Sequence, residues 1–350
     1  MKTAVITVYK KPCFLRDNVE RLKKEHFDIV VAADEPDEEV IKIINEYGLK
    51  ATISGKRRGK WKALNDALKL ADGELLLFLD SDTLIYNLSG LNGADVIEIL
   101  KEVRGKSVIE RLAAVDYLVM SAGAKVASRF GSCLSVNGAA FLVKRKVVDE
   151  LGGFRAKINE DTEFGVRAGL RGYRYAVCGR AITSAPKTFK EWLKQRERWS
   201  VGGAEVLVEN FFEIIRRPRL WIPYLIFFYP AIFGFLVSLI LPESYFAKFL
   251  YLFLPFIALV SPKLASMAIL AVYEMETIRN FLAAILSFFA WSSFVVCLSK
   301  KLDYRIELKL LPVYYFIYSP LWAIICFVSL VKVVVIKAAG RKLEVRDWVV

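Results

Sequence analysis

An α/β domain with a mostly parallel sheet, followed by a bundle of about four membrane-crossing helices, is the architecture the sequence predicts, on three observations. Strand-like and helix-like patterns alternate over the first 200 residues, as they do where helices cover both faces of a sheet. Apolar residues make up 55% of the 350-residue chain, and a mean hydropathy of +0.37 is high for a soluble protein. Those apolar residues concentrate after residue 220, in uncharged runs near the roughly 20 residues that cross a bilayer core.

The strands "TAVITVY" (3–9) and "FDIVVAAD" (27–34) both end in polar residues. Next, "DEEVIKIINEYG" (37–48) has helical spacing, with Asp37 as N-cap and Gly48 as a stop. "LKATISG" (49–55) is a short strand that enters a basic turn, "GKRRGKWK" (55–62), and the helix "GKWKALNDALKLADG" (59–73) follows with Trp61, Leu64, Leu68 and Ala71 on one face. It feeds "ELLLFLDSDT" (74–83), whose five consecutive apolar residues read as a strand buried on both faces. That strand ends on Asp80 and Asp82. Ligands of open parallel sheets sit at the carboxyl ends of the strands, where Asp34, Asp80 and Asp82 all fall. A candidate strand and turn, "NGAAFLVKRKVVDELGGF" (137–154), precede an acidic segment, "NEDTEFGVRAGLRGYR" (159–174). "KEWLKQRERWSVGG" (190–203) then sets Gln195, Arg198 and Trp199 within about one helical turn.

Residues 1–203 form the expected cytosolic domain. Residues 204–220 read as an amphipathic interfacial helix, pairing Val206, Phe211, Ile214 and Ile215 with basic residues. Spans are expected at 221–242, 245–273 (kinked at the Ser-Pro-Lys of 261–263), 281–299 and 310–336, with 337–350 as a cytosolic tail. The apolar stretch at the N-terminus is too short for a signal-peptide core. Net charge is +13, and "RRPR" (216–219) with Lys337, Arg341, Lys342 and Arg346 flanks the apolar part, a positive-inside pattern for a multi-pass cell-membrane protein with a cytoplasmic catalytic domain. The segment from Lys300 to Glu307 dissents: four spans would put it outside, yet it holds Lys300, Lys301 and Arg305.

Five cysteines without CxxC spacing and a single histidine, His26, argue against a disulfide framework, a zinc site or a histidine-based triad. Chemistry here must run on carboxylates, Lys, Arg and aromatics. Two carboxylates at the mouth of a dry strand are costly unless compensated, and Asp80 and Asp82 suit a hard cation such as Mg²⁺ or Mn²⁺; the plain alternative is a solvated turn. The basic turn that contains Lys60 could hold a diphosphate or be a solvated loop. Glu160 and Asp161 read either as a general base or as acids on a helix N-terminus. Trp199 beside Arg198 reads as an interfacial anchor. Tyr314, Tyr315 and Tyr318 suit packing against lipid or each other.

Taken in order, these elements resemble the family 2 glycosyltransferases of the GT-A fold, the group of cellulose, chitin and hyaluronan synthases and ceramide glucosyltransferase. The family's scattered signature reads here as Asp34, "DSD" (80–82), "ED" (160–161) and "QRERW" (195–199), and "GKWKALNDAL" is similar to the family's Gly-Lys-Ala-x-Ala-Leu-Asn helix. The chain departs from the family in "TVYKKP" after strand one and "AADEPD" after strand two. The resemblance, over residues 1 to about 205, implies a Rossmann-like nucleotide-sugar-binding GT-A domain. It implies inverting transfer from a nucleotide sugar, a UDP-sugar first, to a lipid-linked or glycan acceptor at the cytoplasmic membrane face. Asp161, with Glu160, would be the base. Asp34, Lys60, Asp80, Gln195 and Arg198 would hold the donor, Asp82 and Asp80 the Mg²⁺ or Mn²⁺, and Trp199 the acceptor. Membrane lipids and a second copy of the chain are the other expected partners, with no nucleic acid. A processive polysaccharide synthase, a polyprenyl-phosphate glycosyl synthase (which usually lacks QxxRW) and a lipid- or RNA-binding scaffold are the alternatives.

Overall fold

The computed structural model describes residues 1–90, 93–225, 245–341 and 343. Strands β1 (Lys2–Tyr9), β2 (Phe27–Asp34), β3 (Lys50–Ser54) and β4 (Leu75–Asp80) lie parallel in the order β3-β2-β1-β4. They are joined by α1 (Leu15–Lys24), α2 (Glu38–Glu46) and α3 (Lys60–Leu68). Asp37 caps α2 by accepting from Val40 N–H at 2.9 Å, and β2 and β4 end on Asp34 and Asp80 as their patterns indicate. Alternate side chains of β1 enter opposite cores: Ala4, Ile6 and Val8 pack with α1 and α2, and Val5 packs with α3. Both faces of β1 are therefore dry.

The second half of the sheet departs from the expected parallel order. After β4 come β5 (Thr83–Asn87), β6 (Val96–Val103), α4 (Val108–Arg129), β7 (Ala140–Lys144), α5 (Arg145–Leu151), α6 (Glu160–Arg171) and β8 (Tyr175–Thr183). The sheet continues β4-β7-β6-β8-β5, with β7 antiparallel to both β4 and β6, β8 parallel to β6, and β5 antiparallel to β8. The result is a mixed sheet. An apolar run specifies burial and carries no direction, and here α4 returns the chain to the carboxyl end of β4, from which β7 can only run down. The candidate strand and turn of 137–154 also contains a helix, α5, over "RKVVDEL".

Helix α7 (Phe189–Ile215) starts at a Thr188/Glu191 capping box and runs for 27 residues without a break at 203. The segment expected as a separate interfacial helix is thus its C-terminal half, followed by α8 (Pro218–Leu225). Val206 and Ile214 pack against Leu134, Val166 and Leu170, while Phe211, Phe212 and Ile215 stay exposed.

Among the described residues, two helices are long and apolar enough to cross a membrane, Pro262–Leu302 (α10) and Leu308–Ala338 (α11), preceded by α9 (Tyr245–Val260). Most of the expected span 221–242 lies outside the described residues. The expected 245–273 span breaks at Ser261, which caps α10 with Pro262 at its first turn. The polar stretch around Glu274 to Asn280, expected to separate two spans, instead continues α10 for 41 residues. It contains no Gly or Pro to stop a helix.

Two contacts place the C-terminal part against the α/β domain. The turn after α10 sits on it: Arg180 donates to the carbonyls of Leu302 at 2.6 Å and Asp303 at 3.0 Å, and Tyr304 OH donates to Lys101 C=O at 2.8 Å. Lys300, Lys301 and Arg305 flank this docked turn. Helix α11 runs parallel to α7: Trp192 Nε1 donates to Tyr318 OH at 2.6 Å, Ser200 Oγ meets Cys326 Sγ at 3.4 Å, and Lys337 pairs with Glu209.

Candidate active site

A cleft of about 780 Å³ opens at the carboxyl end of β4 and brings together Lys60, Asp80, Asp82, Glu160, Asp161, Gln195, Arg198 and Trp199. The antiparallel course of β7 builds it. Ala140 pairs with Leu79, so the residues entering β7 lie beside the end of β4, and Asp80 N–H donates to Ala139 C=O at 2.9 Å. Gly138 N–H donates to Asp161 Oδ2 at 2.7 Å, and Lys60 Nζ donates to Gly138 C=O at 3.1 Å. A Cβ at position 138 would collide with the Asp161 carboxylate. Asp161 Oδ1 also accepts from Thr162 N–H at 2.7 Å.

Four carboxylates converge here, and among the described residues Lys60 is the cation that touches them, at 2.8 Å from Asp80 and 3.7 Å from Glu160. Burial works against the Lys60 charge, but Asp80, Glu160 and Asp161 outweigh it and raise its pKa, so the ammonium persists. The carboxylates are less well served. Burial, with Asp161 and Asp80 adding to it and Lys60 opposing, pushes Glu160 up to about 7. Asp82 is raised by burial and then by Asp80, against hydrogen bonds from Ser184 and Thr83. Such a concentration of uncompensated negative charge is the condition that a cation relieves.

Asp80 is already engaged by Lys60 and by Thr7 Oγ1 at 2.6 Å, which leaves Asp82 as the freer ligand. Among the described residues no group of three or more His, Cys, Asp or Glu side chains forms a cage. One or two carboxylates facing open space fit Mg²⁺ or Mn²⁺, whose remaining positions go to phosphate oxygens and water.

Asp34 does not line the cleft. Both its oxygens are taken by Arg58, from the backbone N–H at 2.7 Å and from Nε at 2.8 Å, so it shapes the basic turn from beneath and Arg57 reaches the cleft wall instead. Gln195 has a buried side-chain oxygen without a hydrogen-bond partner among the described residues, which leaves it available to a ligand hydroxyl. Arg198 has no acidic partner within 4 Å among them and is free for an anion.

Behind Trp199 lies a cluster that pattern reading missed. Asp116 accepts from Tyr314 OH and Tyr318 OH, each at 2.6 Å, and pairs with Arg196 at 2.9 Å. The Arg196 guanidinium lies between the rings of Trp199 (4.7 Å) and Trp322 (4.5 Å). Tyr314 and Tyr318 stack on each other at 5.1 Å, one of the two packings expected of them, and their hydroxyls carry polar contacts as well. One signal was visible: Asp116 is the sole charge in "LAAVDYLVM".

The model of Glycosyl transferase family group 2 matches residues 75–335, and that of Glycosyl transferase family 2 matches residues 3–87. The "Probable glycosyltransferase YdaM" of Bacillus subtilis (strain 168) is 24% identical over 341 residues, covering 88% of this chain and 75% of that protein. Poly-beta-1,6-N-acetyl-D-glucosamine synthase of Staphylococcus aureus (strain MSSA476) is 26% identical over 238 residues, covering 62% of this chain and 58% of its own length. In fold, the chain is similar to the mannosyltransferase PcManGT from Pyrobaculum calidifontis, solved with GDP-Man and Mn²⁺, at a TM-score of 0.53 and 14% identity over 97% of this chain and 88% of that one.

Proposed function

The chain belongs to glycosyl transferase family group 2, and from that membership we propose that it moves a sugar from a nucleotide sugar to an acceptor hydroxyl, with inversion, in the cleft at the end of β4. The observation that carries this reading is the convergence of "DSD", "ED" and Gln195–Trp199 on one cavity from separate parts of the chain. Arg198 and Arg57 supply positive charge for the diphosphate. Asp161, held by two backbone N–H groups, takes the proton of the acceptor hydroxyl. The acceptor oxygen then bonds to the anomeric carbon from the face opposite the diphosphate, the glycosidic bond to the diphosphate breaks, and its electron pair leaves on the diphosphate oxygen. One such displacement inverts the anomeric centre. Glu160, protonated in part near neutral pH, donates to or accepts from neighbouring groups without adding a full charge. Asp82, assisted by Asp80, would hold Mg²⁺ or Mn²⁺, which when bound neutralises charge on the departing nucleoside diphosphate. Trp199 offers a flat face for an acceptor sugar, braced by Arg196 behind it.

Residues 1 to about 203 act as the catalytic domain on the cytoplasmic face. The exposed apolar side chains Phe211, Phe212 and Ile215 of α7, with Ile317, Ile324, Phe327 and Val335 of α11, make one face of a parallel helix pair that meets the membrane boundary beside the cleft. A lipid-linked acceptor presented there fits better than a threaded polymer, since the apolar segments hold few groups that could line a wet channel.

The test is release of nucleoside diphosphate by the purified full chain from a panel of UDP- and GDP-sugars, with Mn²⁺ or Mg²⁺, with and without lipid extract. Expected is metal-dependent release from one nucleotide class and a discrete radiolabelled product that partitions into organic solvent. No release from any donor contradicts the reading, and a water-soluble polymer contradicts the lipid acceptor.

A further inference from the structure

Strand β6 is buried along its whole length, yet Glu98 and Lys101 are charged. Residues three apart in a regular strand face opposite ways. Here the register against β8 slips between Ile99 and Leu100, where Gly179 of β8 is the extra residue, and the two side chains nevertheless meet. Lys101, 2% exposed, donates to Glu98 Oε1 at 3.4 Å and to Asn137 C=O at 3.0 Å. Glu98 Oε2 accepts from Asn137 N–H at 3.2 Å and from Tyr175 OH at 2.8 Å. The pair therefore grips residue 137 by its N–H and its C=O together. The peptide groups that follow carry the site: Gly138 N–H holds Asp161, Gly138 C=O holds Lys60, and Ala139 C=O takes the N–H of Asp80.

A buried ion pair is seldom worth more to stability than well-packed apolar residues of similar volume, and apart from Glu102, which pairs with Arg180, the rest of β6 is Val, Ile and Leu. Stability alone does not account for two charges there. We propose that Glu98 and Lys101 are positioning residues for glycosyl transfer, fixing the Asn137–Ala139 segment from beneath so that Asp161, Lys60 and Asp80 keep their relative placement. This rests on the sugar-transfer reading above. Neither side chain lines the cleft, so their effect on the reaction is transmitted through the backbone. Tyr304, bonded to Lys101 C=O, ties the same strand to the turn after α10.

The test uses the full chain with Lys101→Met and Glu98→Gln, and Tyr175→Phe as a variant that removes one hydrogen bond without touching a charge. Three quantities are read on a donor that the wild type uses: melting temperature, donor KM and kcat. A fourth, amide hydrogen exchange at Asn137, Gly138 and Ala139, needs no donor. Expected for Lys101→Met is a lower melting temperature, because Glu98 is left buried without its cation, with near-unchanged donor KM and kcat per folded molecule lower by about 10²-fold, the scale of a misplacement of about 1 Å. Faster exchange at those three amides should accompany it, with smaller losses in the other two variants. Wild-type kcat in Lys101→Met, or exchange there that matches wild type, overturns the proposal. A wild type that transfers from no donor counts against the transfer reading alone, because exchange still decides whether the pair holds the segment.

Discussion

The carboxylates at the end of β4 and the cluster buried between α4, α7 and α11 use the same chemistry to opposite ends. In the cleft, Lys60 pairs with Asp80 and Glu160, no described cation pairs with Asp82 or Asp161, and two of the four carboxylates are pushed towards their protonated forms. Around Asp116 the charges match: one carboxylate meets one guanidinium, and two tyrosine hydroxyls complete its shell. A cluster left short of positive charge is strained until a ligand arrives, whereas a matched one serves the fold. The difference teaches that function and architecture can be told apart here by the balance of charge, since burial is common to both.

That contrast can be broken by substitution. Asp82→Asn should have the largest effect on activity, a loss of at least about 10²-fold, with no loss of melting temperature. Because burial and Asp80 hold its carboxyl above the ordinary range, an uncharged amide relieves the fold at neutral pH while removing an anionic ligand. Full activity, or a clear loss of stability, would put Asp82 in the architectural class. Asp116→Ala should show the reverse. It leaves the Arg196 guanidinium buried without its carboxylate, a cost of about 3–5 kcal/mol in denaturant unfolding, while activity per folded molecule falls far less than in Asp82→Asn.

A third and smaller effect comes from Glu160. Its ordinary value of 4.5 is raised to about 7 by burial first and by Asp161 and Asp80, so between those pH values the folded chain holds a proton that the unfolded chain has released. Stability from this group is complete below about 4.5 and is lost as pH rises through 7. Glu160→Gln removes that dependence, and its stability should gain on wild type between pH 5 and 8 by an amount on the order of 2 kcal/mol. Parallel stability curves for the two proteins would show that Glu160 is compensated after all.

What could be read ahead of the structure follows the same division. Asp80, Asp82, Glu160 and Asp161 stand at a strand end or a helix start, Gln195, Arg198 and Trp199 share about one turn of α7, and the cleft gathers them all. Asp34 stands at a strand end too, but its carboxylate is turned to Arg58, a contact that no periodicity encodes. The reversal of β7 was invisible because "AFLVK" is equally apolar in either direction. Asp116 finds its tyrosines 198 and 202 residues along the chain, beyond the reach of any local pattern. Helix α10 was divided at its polar middle because polarity was taken for a break, when only Gly, Pro or a cap would have made one.

The central claim, that the cleft performs sugar transfer with Asp161 as the base, is tested most directly by measuring donor affinity and turnover together in Asp161→Asn. The amide can keep one contact to the Gly138–Thr162 frame but cannot take a proton, so nucleotide-sugar binding in the presence of Mn²⁺ should stay within a few-fold of wild type while kcat falls by about 10²–10⁴-fold. Loss of donor binding in step with turnover, or turnover that survives the substitution, would contradict the assignment.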